Sequence, residues 1–173
     1  MPPRKSSKTA PQILEMPSQK MAVVQARGAP AKVFAEVMPA LMGSVYTLKF
    51  DLKKRGLTTF KVSPPRARYP DDLDVPMDEW KMVVGVPVPE DTASLPQKVA
   101  GIDVKIETWD YGMVAQILHL GAYDQEGPTV ERLHKFIGEN GYEIAGPHEE
   151  EYLTSPDAKV IKTIIRYTAK KRE

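Results

Sequence analysis

The segment PHEEEYLTSP, residues 147–156, places three consecutive glutamates between a histidine and a tyrosine. Because side chains alternate along a β-strand, His148, Glu150 and Tyr152 would share one face of a strand formed here. The opposite face would carry Glu149, Glu151 and Leu153. A histidine, a carboxylate and a phenol in a row are typical of a pocket wall, whereas the two other glutamates are better placed near solvent.

A carboxylate that is drawn out of water in this way can serve two chemistries. Glu150 can stay ionised and attract a cationic ligand, or it can hold its proton at neutral pH and act as an acid. The sequence leaves both uses open. A solvated, charged strand end is the structural alternative to a pocket.

Aromatic and histidine side chains elsewhere supply further candidates for the pocket. Trp80 and Trp109 each lie in a stretch of alternating apolar residues, where a tryptophan forms either a pocket wall or core. Tyr123 follows a glycine at a predicted strand-to-helix corner, where side chains often overhang a cleft. We add His119 and His148 as candidates for ligand binding.

No metal and no cofactor is predicted. The three histidines, His119, His134 and His148, form no close pair with a carboxylate on a single helix or hairpin, as a zinc site would need. The chain has no cysteine, no glycine-rich phosphate loop and no serine in a nucleophile elbow. Nucleotide hydrolysis and serine-type acyl transfer are therefore not expected.

The composition is that of an ordinary globular protein. The 173 residues suffice for one domain, and a formal net charge of +1 indicates neither disorder nor a nucleic-acid surface. Residues 1–11 read as a flexible basic arm, and residues 12–173 as a single domain. Since we find no signal peptide or membrane span, we expect a cytoplasmic monomer or homodimer without membrane or direct nucleic-acid partners.

Apolar periodicity predicts the same order of elements in both halves of the chain. Strand, helix, strand, strand covers residues of about 12–90 and recurs over about 102–170. The predicted strands are 21–30, 57–63, 79–88, 102–123, 142–153 and 159–168, and the predicted helices are 31–55 and 129–141. Pro39 should kink or restart the first helix. The polar stretch 66–78 should be a loop that is either mobile or a flap.

This order predicts an α+β fold made of duplicated β-α-β-β units about a pseudo-twofold. Antiparallel sheets would carry the helices on one side. Each unit alone has an exposed sheet edge and a half-covered apolar face, and pairing the two units buries both. The seam between the units is the expected central ligand cleft.

Residues 115–156, AQILHLGAYDQEGPTVERLHKFIGENGYEIAGPHEEEYLTSP, resemble the GyrI-like small-molecule-binding family. The likeness lies in HLGAY, a helix, GY as the chain returns, HEEEYL with a proline close behind, and KTIIRY as the last strand. It extends over the chain from about residue 12. The family's pocket glutamate matches Glu150. Glu151 stands where an aliphatic residue is usual, so either that side of the strand lies at an edge or the register is shifted by one.

The resemblance implies a central pocket for flat, hydrophobic or cationic compounds, as in the ligand-sensing domains of multidrug-responsive regulators, with a role in drug or toxin protection. Some stand-alone members are similar to hydrolases that open strained cyclopropane rings of genotoxic compounds, and others inhibit a topoisomerase. For ligand binding, the predicted residues are Glu150, Tyr152, Tyr123, Trp80, Trp109, His119 and His148. For hydrolysis, Glu150 is the predicted acid or base, and Tyr123 would orient the substrate.

Overall fold

The computed structural model describes residues 9–69 and 74–173. Most of the predicted arm, residues 1–8, and residues 70–73 of the predicted loop at 66–78 lie outside the described residues. Contacts divide the chain into two compact units. We call Ser18–Asp110 the first unit, and residues 9–17 together with Tyr111–Glu173 the second unit.

The described residues form nine strands and two α-helices. The strands are β1 Gln12–Met16, β2 Gln19–Arg27, β3 Arg66–Arg68, β4 Lys81–Pro87, β5 Lys105–Trp109, β6 Gly112–Leu120, β7 Tyr142–Ile144, β8 Glu149–Tyr152 and β9 Lys162–Lys171. The helices are α1 Pro30–Lys54 and α2 Gly127–Glu139. Short 3-10 turns lie at Met77–Glu79 and Tyr123–Gln125.

Both units have the same antiparallel strand order. In the first unit β5, β2, β4 and β3 lie side by side, and α1 connects β2 to β3. In the second unit β1, β6, β9 and β8 lie side by side, α2 follows β6, and β7 also pairs with β9. The predicted α+β class with duplicated β-α-β-β units is confirmed.

Gly28 and Gly121, which directly follow β2 and β6 and both have a positive φ, align these two strands, and strand register then aligns the remaining positions of the two copies. In the first unit, Val84 pairs with Val24 on one side and with Ala67 on the other. In the second unit, Ile165 pairs with Ile117 on one side and with Glu150 on the other. The duplicated position that holds Glu150 in the second unit is therefore occupied by a fully buried alanine in the first.

Helix α1 runs from Pro30 to Lys54 without interruption, so it does not restart at Pro39, and the alternative, a kink at Pro39, stays a prediction. Pro30 begins the helix, and proline is favoured at this position because its missing N–H is not needed there. The helix ends at Lys54, two residues before Gly56, which has a φ of +70°, and the N–H of Leu57 donates to the carbonyl of Leu52 at 2.9 Å. This ending matches the predicted stop.

Three predicted strands differ from the structure. Residues 57–63 form no strand, and the short β3 lies after the two prolines instead. The predicted strand 102–123 is two strands, because Gly112 has a φ of +68° at the turn between β5 and β6. The predicted strand 142–153 likewise divides into β7 and β8. Strand β1 was not predicted as an element.

The core of the second unit lies between α2 and one face of its sheet. Leu133 and Ile137 of α2 pack against alternate residues of β6 and β9. The members from the sheet are Ala115, Ile117, Ile165, Tyr167 and Ala169. This face is therefore the helix-covered side of β6 and β9. Neither helix of the described residues is apolar over a length that could cross a membrane.

A close approach in the first unit leaves little room for a side chain at Gly85. A Cβ atom built on Gly85 would lie 3.1 Å from Met21, 3.1 Å from Val23 and 3.2 Å from Trp109. We predict that Gly85→Val lowers the free energy of unfolding by about 1–3 kcal/mol, the usual cost of overpacking a core. Urea unfolding followed by circular dichroism measures this.

The matched control is Gly43→Ala, whose new Cβ would meet Lys98 at an ordinary 3.5 Å. Because Gly43 lies inside α1, this change should leave stability unchanged or raise it by about 0.5–1 kcal/mol. Equal stability of the two variants would contradict the proposed tight contact.

Candidate functional site

Strand β8 directs Glu150 to the helix-covered side of the second unit. Glu150 pairs with Ile165, a member of the core beneath α2, and Tyr152 pairs with Thr163 two residues further along β9. Side chains of paired residues point to the same face of a sheet. Glu150 is consequently buried, with 5% of its surface exposed.

Three side chains of one sheet face form a hydrogen-bonded chain around Glu150. The Nε2 atom of His148 lies 2.6 Å from Oε2 of Glu150. The hydroxyl of Tyr152 donates to Oε1 of the same carboxylate at 3.2 Å. On its other side, Nδ1 of His148 lies 2.6 Å from the hydroxyl of Tyr167. The predicted row of His148, Glu150 and Tyr152 is thus brought together by direct contacts.

A second carboxyl group, which the sequence reasoning did not consider, lies beside Glu150. Glu126 precedes the first residue of α2 and occupies the N-cap, yet its side chain makes no capping hydrogen bond. It is partly buried and hydrogen-bonds to Glu150 instead. An acidic residue at a helix start is ordinarily interpreted as a cap, so no sequence signal linked Glu126 to β8.

The environment moves the pKa values of these two carboxyl groups apart. Burial, followed by the hydrogen bond and the charge of Glu150, raises the pKa of Glu126 to about 9. Burial also acts to raise the pKa of Glu150, but hydrogen bonds from His148, Glu126 and Tyr152 outweigh it, so the net shift is downward. At neutral pH Glu126 therefore holds a proton, and Glu150 is ionised.

Tyrosine rings line the approach to this pair. Tyr123 and Tyr152 meet edge to face, with ring centroids 5.9 Å apart. Tyr123 is 38% exposed and lies in the 3-10 turn just before Glu126. Burial, Glu126 and Glu150 raise the pKa of Tyr123, and burial together with the same two carboxyl groups raises the pKa of Tyr167 to about 12. Both phenols keep their protons at neutral pH.

His119 supports the turn that carries Tyr123 and Glu126. Its Nδ1 atom lies 2.7 Å from the hydroxyl of Thr129 at the start of α2, and its Nε2 atom lies 3.0 Å from the carbonyl oxygen of Ala122. The ring is buried and hydrogen-bonded at both nitrogens. This geometry connects the end of β6 to the start of α2.

The opposite face of β8 differs from its prediction. Glu149 is buried, with 3% of its surface exposed, and Glu151 is only partly exposed, so the placement of both near solvent is wrong. Arg166 of β9, which is also 3% exposed, donates to Glu149 at 2.8 Å and to Glu151 at 3.2 Å. The hydroxyl of Tyr111 donates to Glu149 at 2.9 Å, and Nε of Arg166 donates to Gln116 at 2.8 Å.

The two tryptophans lie in the first unit. The indole N–H of Trp80 donates to the carbonyl oxygen of Val75 at 3.1 Å. Trp109 is buried, and the guanidinium of Arg68 lies 4.0 Å from its ring centroid. The indole N–H of Trp109 donates to Glu107 at 3.1 Å. One face of this ring is thus covered by a cation, and its polar edge is satisfied.

Glu126, His148 and Glu150 are the group of described residues closest to a metal-binding arrangement. They bring one ligand atom each to within 4.8 Å of one another. Both nitrogens of His148 already take part in hydrogen bonds, and Glu126 carries a proton at neutral pH. A metal ion bound here would have to displace the proton of Glu126 and a hydrogen bond of His148, because metal ligands are deprotonated.

Two of the cavities on the described residues lie elsewhere. One, of about 490 Å³, lies in the first unit between the end of α1 and residues 91–96. The other, of about 220 Å³, lies on the second unit beside β6 and β9. It is lined by Gln12, Gln116, Ile117, Leu118, Leu153 and Ile164. Neither cavity is lined by Glu150.

Comparison with known proteins identifies the family. A model of the GyrI-like small molecule binding domain matches residues 9–167, and the chain belongs to this family. Members of this family are described as small-molecule-binding domains. No curated protein matches the sequence.

Solved structures with the same fold share little sequence identity with this chain. An uncharacterised conserved protein from Listeria innocua is 21% identical, with a TM-score of 0.80 over 94% of this chain and 93% of that one. A hydrolase from Listeria innocua is also 21% identical, with a TM-score of 0.77 and the same coverage. The C-terminal domain of EcmrR is 14% identical, with a TM-score of 0.66 over 94% of this chain and 98% of that one.

The ion pair of Arg166 is expected to hold β8 on β9. We predict that Arg166→Met lowers the free energy of unfolding by about 3–5 kcal/mol, because it leaves the charge of Glu149 buried without its cationic partner. Urea unfolding measures this. The control is Arg55→Met, which removes an exposed pair with Asp51 and should cost about 0.5 kcal/mol or less.

A double variant tests whether the unpaired charge of Glu149 causes the loss of stability. Adding Glu149→Gln to Arg166→Met removes the stranded charge and should restore part of the lost stability. If Arg166→Met costs no more than the surface control, the buried pair does not stabilise β8.

Proposed function

We propose that this protein binds flat, hydrophobic or cationic organic compounds at the wall formed by Glu150, Tyr152 and Tyr123, in protection against drugs or toxins. The observation that carries the proposal is an ionised, buried carboxylate next to two tyrosine rings in edge-to-face contact. A cation that stacks on such rings gains up to about 2 kcal/mol when it leaves water. Membership of a small-molecule-binding family supports the same reading.

Access to the wall is expected from the side of Tyr123. Its ring is the most exposed of the three side chains, so an incoming aromatic compound would meet it first. Tyr152 lies between Tyr123 and Glu150, which gives a ligand a path from ring stacking to charge pairing. Trp80, Trp109 and His119 each have a partner within their own unit, and their contact with a ligand stays a prediction.

Binding can be tested by thermal shift with paired compounds. An aromatic cation present at a hundred times its dissociation constant should stabilise the protein by about 2.7 kcal/mol, which raises the melting temperature by several degrees. Glu150→Gln should weaken the binding of the cation by about 10-fold to 100-fold, since a charged hydrogen bond contributes about 1.5–3 kcal/mol. An uncharged compound of the same shape should be affected much less.

The exposed Glu131→Gln on α2 is the matched control for charge removal. A cation that binds wild type, Glu131→Gln and Glu150→Gln equally would remove Glu150 from the ligand site. Absence of any shift across a panel of aromatic cations would contradict the proposed ligand class.

Hydrolysis of a strained electrophile is the second candidate function. The specific observation in its favour is that Glu150 is ionised at neutral pH within a screened cluster, as a general base requires. It would take a proton from the water that attacks a ring carbon, while Tyr123 or Tyr152 orients the substrate. Similarity in fold to a hydrolase from Listeria innocua is consistent with this chemistry.

Mass spectrometry can detect this reaction. Purified protein incubated with cyclopropane-containing alkylating compounds should yield products that are one water heavier than the substrates. Glu150→Gln should lower the rate by about 100-fold or more, the range measured for general acid–base groups, whereas Glu131→Gln should not change it. Turnover that survives Glu150→Gln would exclude the assigned base.

A further inference from the structure

A second carboxyl group, that of Glu126, lies beside the proposed base Glu150. The two carboxyl groups are hydrogen-bonded to each other, and each offers an oxygen within 4.8 Å of the other. They come from different elements, the N-cap of α2 and the middle of β8. Nothing in the local sequence requires them to meet.

Two carboxylates this close, and screened from water, cannot both be ionised, because their repulsion is not weakened by solvent. His148 and Tyr152 both hydrogen-bond to Glu150 and stabilise its charged form. Glu126 has no comparable support: its Oε1 atom is shielded from solvent and has no hydrogen-bond partner among the described residues. The single proton of the pair therefore resides on Glu126.

We propose that Glu126 is a second catalytic carboxyl, which shares one proton with Glu150 and donates it to the substrate while Glu150 accepts a proton from water. This inference rests on the hydrolytic function proposed above and names the acid that the reaction would use. The two roles need different protonation states at one pH, and the different surroundings of the two carboxyl groups supply them.

The step balances with these two groups and one water. The water oxygen forms a bond to the ring carbon as Glu150 removes a proton from that water. The breaking ring bond leaves its electron pair on the substrate, and the atom that bears the resulting charge takes the proton of Glu126. Glu150 is then protonated and Glu126 ionised, and one proton passes back across their hydrogen bond. Substrate and water are converted to product, and the pair returns to its starting state.

Several titratable groups of the described residues surround the pair. They are Tyr123, His134, His148, Tyr152 and Tyr167. Burial and the neighbouring His148 lower the pKa of His134. Arg166 lies on the opposite face of β8 with Glu149 and Glu151. The pKa of Glu126, about 9, agrees with a proton held through the neutral range.

Carboxyl carbon NMR tests the shared proton without reference to activity. In the full chain labelled at the glutamate side-chain carboxyl carbon, one signal should titrate near pH 9 and disappear in Glu126→Gln. In Glu150→Gln the same signal should titrate at a lower pH than in wild type, because the hydrogen bond and the charge of Glu150 are gone, but still above the ordinary value of 4.5, because burial continues to raise the pKa of Glu126. Glu131→Gln should leave the signal unchanged.

The expected pH dependence of stability follows from the same titration. Between pH 4.5 and about 9 the folded protein binds a proton on Glu126 that the unfolded chain has released. Stability from this group is therefore full below pH 4.5 and is lost as the pH rises toward 9. As the pH rises across this range, the melting temperature of wild type should fall relative to that of Glu126→Gln.

Kinetics test the catalytic role. Glu126→Gln, which keeps the shape of the protonated acid, should bind the substrate as wild type does and lower the turnover rate by about 100-fold. Wild-type turnover should fall as the pH rises above about 9, because Glu126 then loses its proton. Substrates whose leaving atom needs no protonation should be much less affected by the substitution.

The results separate this inference from the function on which it rests. A carboxyl signal near pH 9 that responds to Glu150→Gln supports the shared proton even if wild type turns over no compound, in which case hydrolysis alone fails. Turnover with every glutamate titrating in the ordinary range overturns the shared proton and leaves hydrolysis standing. Stoichiometric zinc that depends on Glu126 and His148 would also overturn it.

Discussion

The buried carboxylate of Glu150 is the constraint around which the second unit is arranged. A carboxylate screened from water is costly unless it is hydrogen-bonded, and here His148, Tyr152 and Glu126 together surround it. These donors come from the strand itself and from the start of the helix above it. The hydrogen bonds of His119 hold that helix start in place. Removing any of these contacts would leave the charge less well paired, so the positions of β8 and α2 are coupled through one side chain.

The duplicated fold allows the position of Glu150 in the second unit to be compared with the equivalent position in the first. Ala67 occupies in the first unit the register position of Glu150, and it is fully buried. The same backbone position is therefore a simple core contact in one copy and an ionised carboxylate in the other. A buried alanine needs no partners, whereas a buried carboxylate needs several, which explains why the polar cluster accompanies only the second copy among the described residues.

The three glutamates of β8 show how one short strand satisfies charges on both faces. Glu149 and Glu151 meet the guanidinium of Arg166, which offers fixed donors to two carboxylates at once. Glu150 meets His148 and the hydroxyl of Tyr152 on the other face. The first arrangement keeps every group charged and suits a structural role. The second separates the pKa values of two carboxyl groups, which is the arrangement that acid–base chemistry requires.

Much of the fold could be predicted from the sequence, because periodicity and punctuation are local properties. The order of elements in both halves, the end of α1 just before Gly56 and the sharing of one face by His148, Glu150 and Tyr152 all follow from spacing along a single segment. What the local pattern omitted was the partner across each contact. Arg166 lies on another strand and Glu126 on a helix start, so the burial of Glu149 and the proton on Glu126 depend on pairing that no single segment contains. The sequence by itself determined which side chains of β8 would stand together, since alternation is a property of any strand. Only the tertiary structure decided which of them would be charged, because a carboxyl group's proton depends on the groups that folding brings to it.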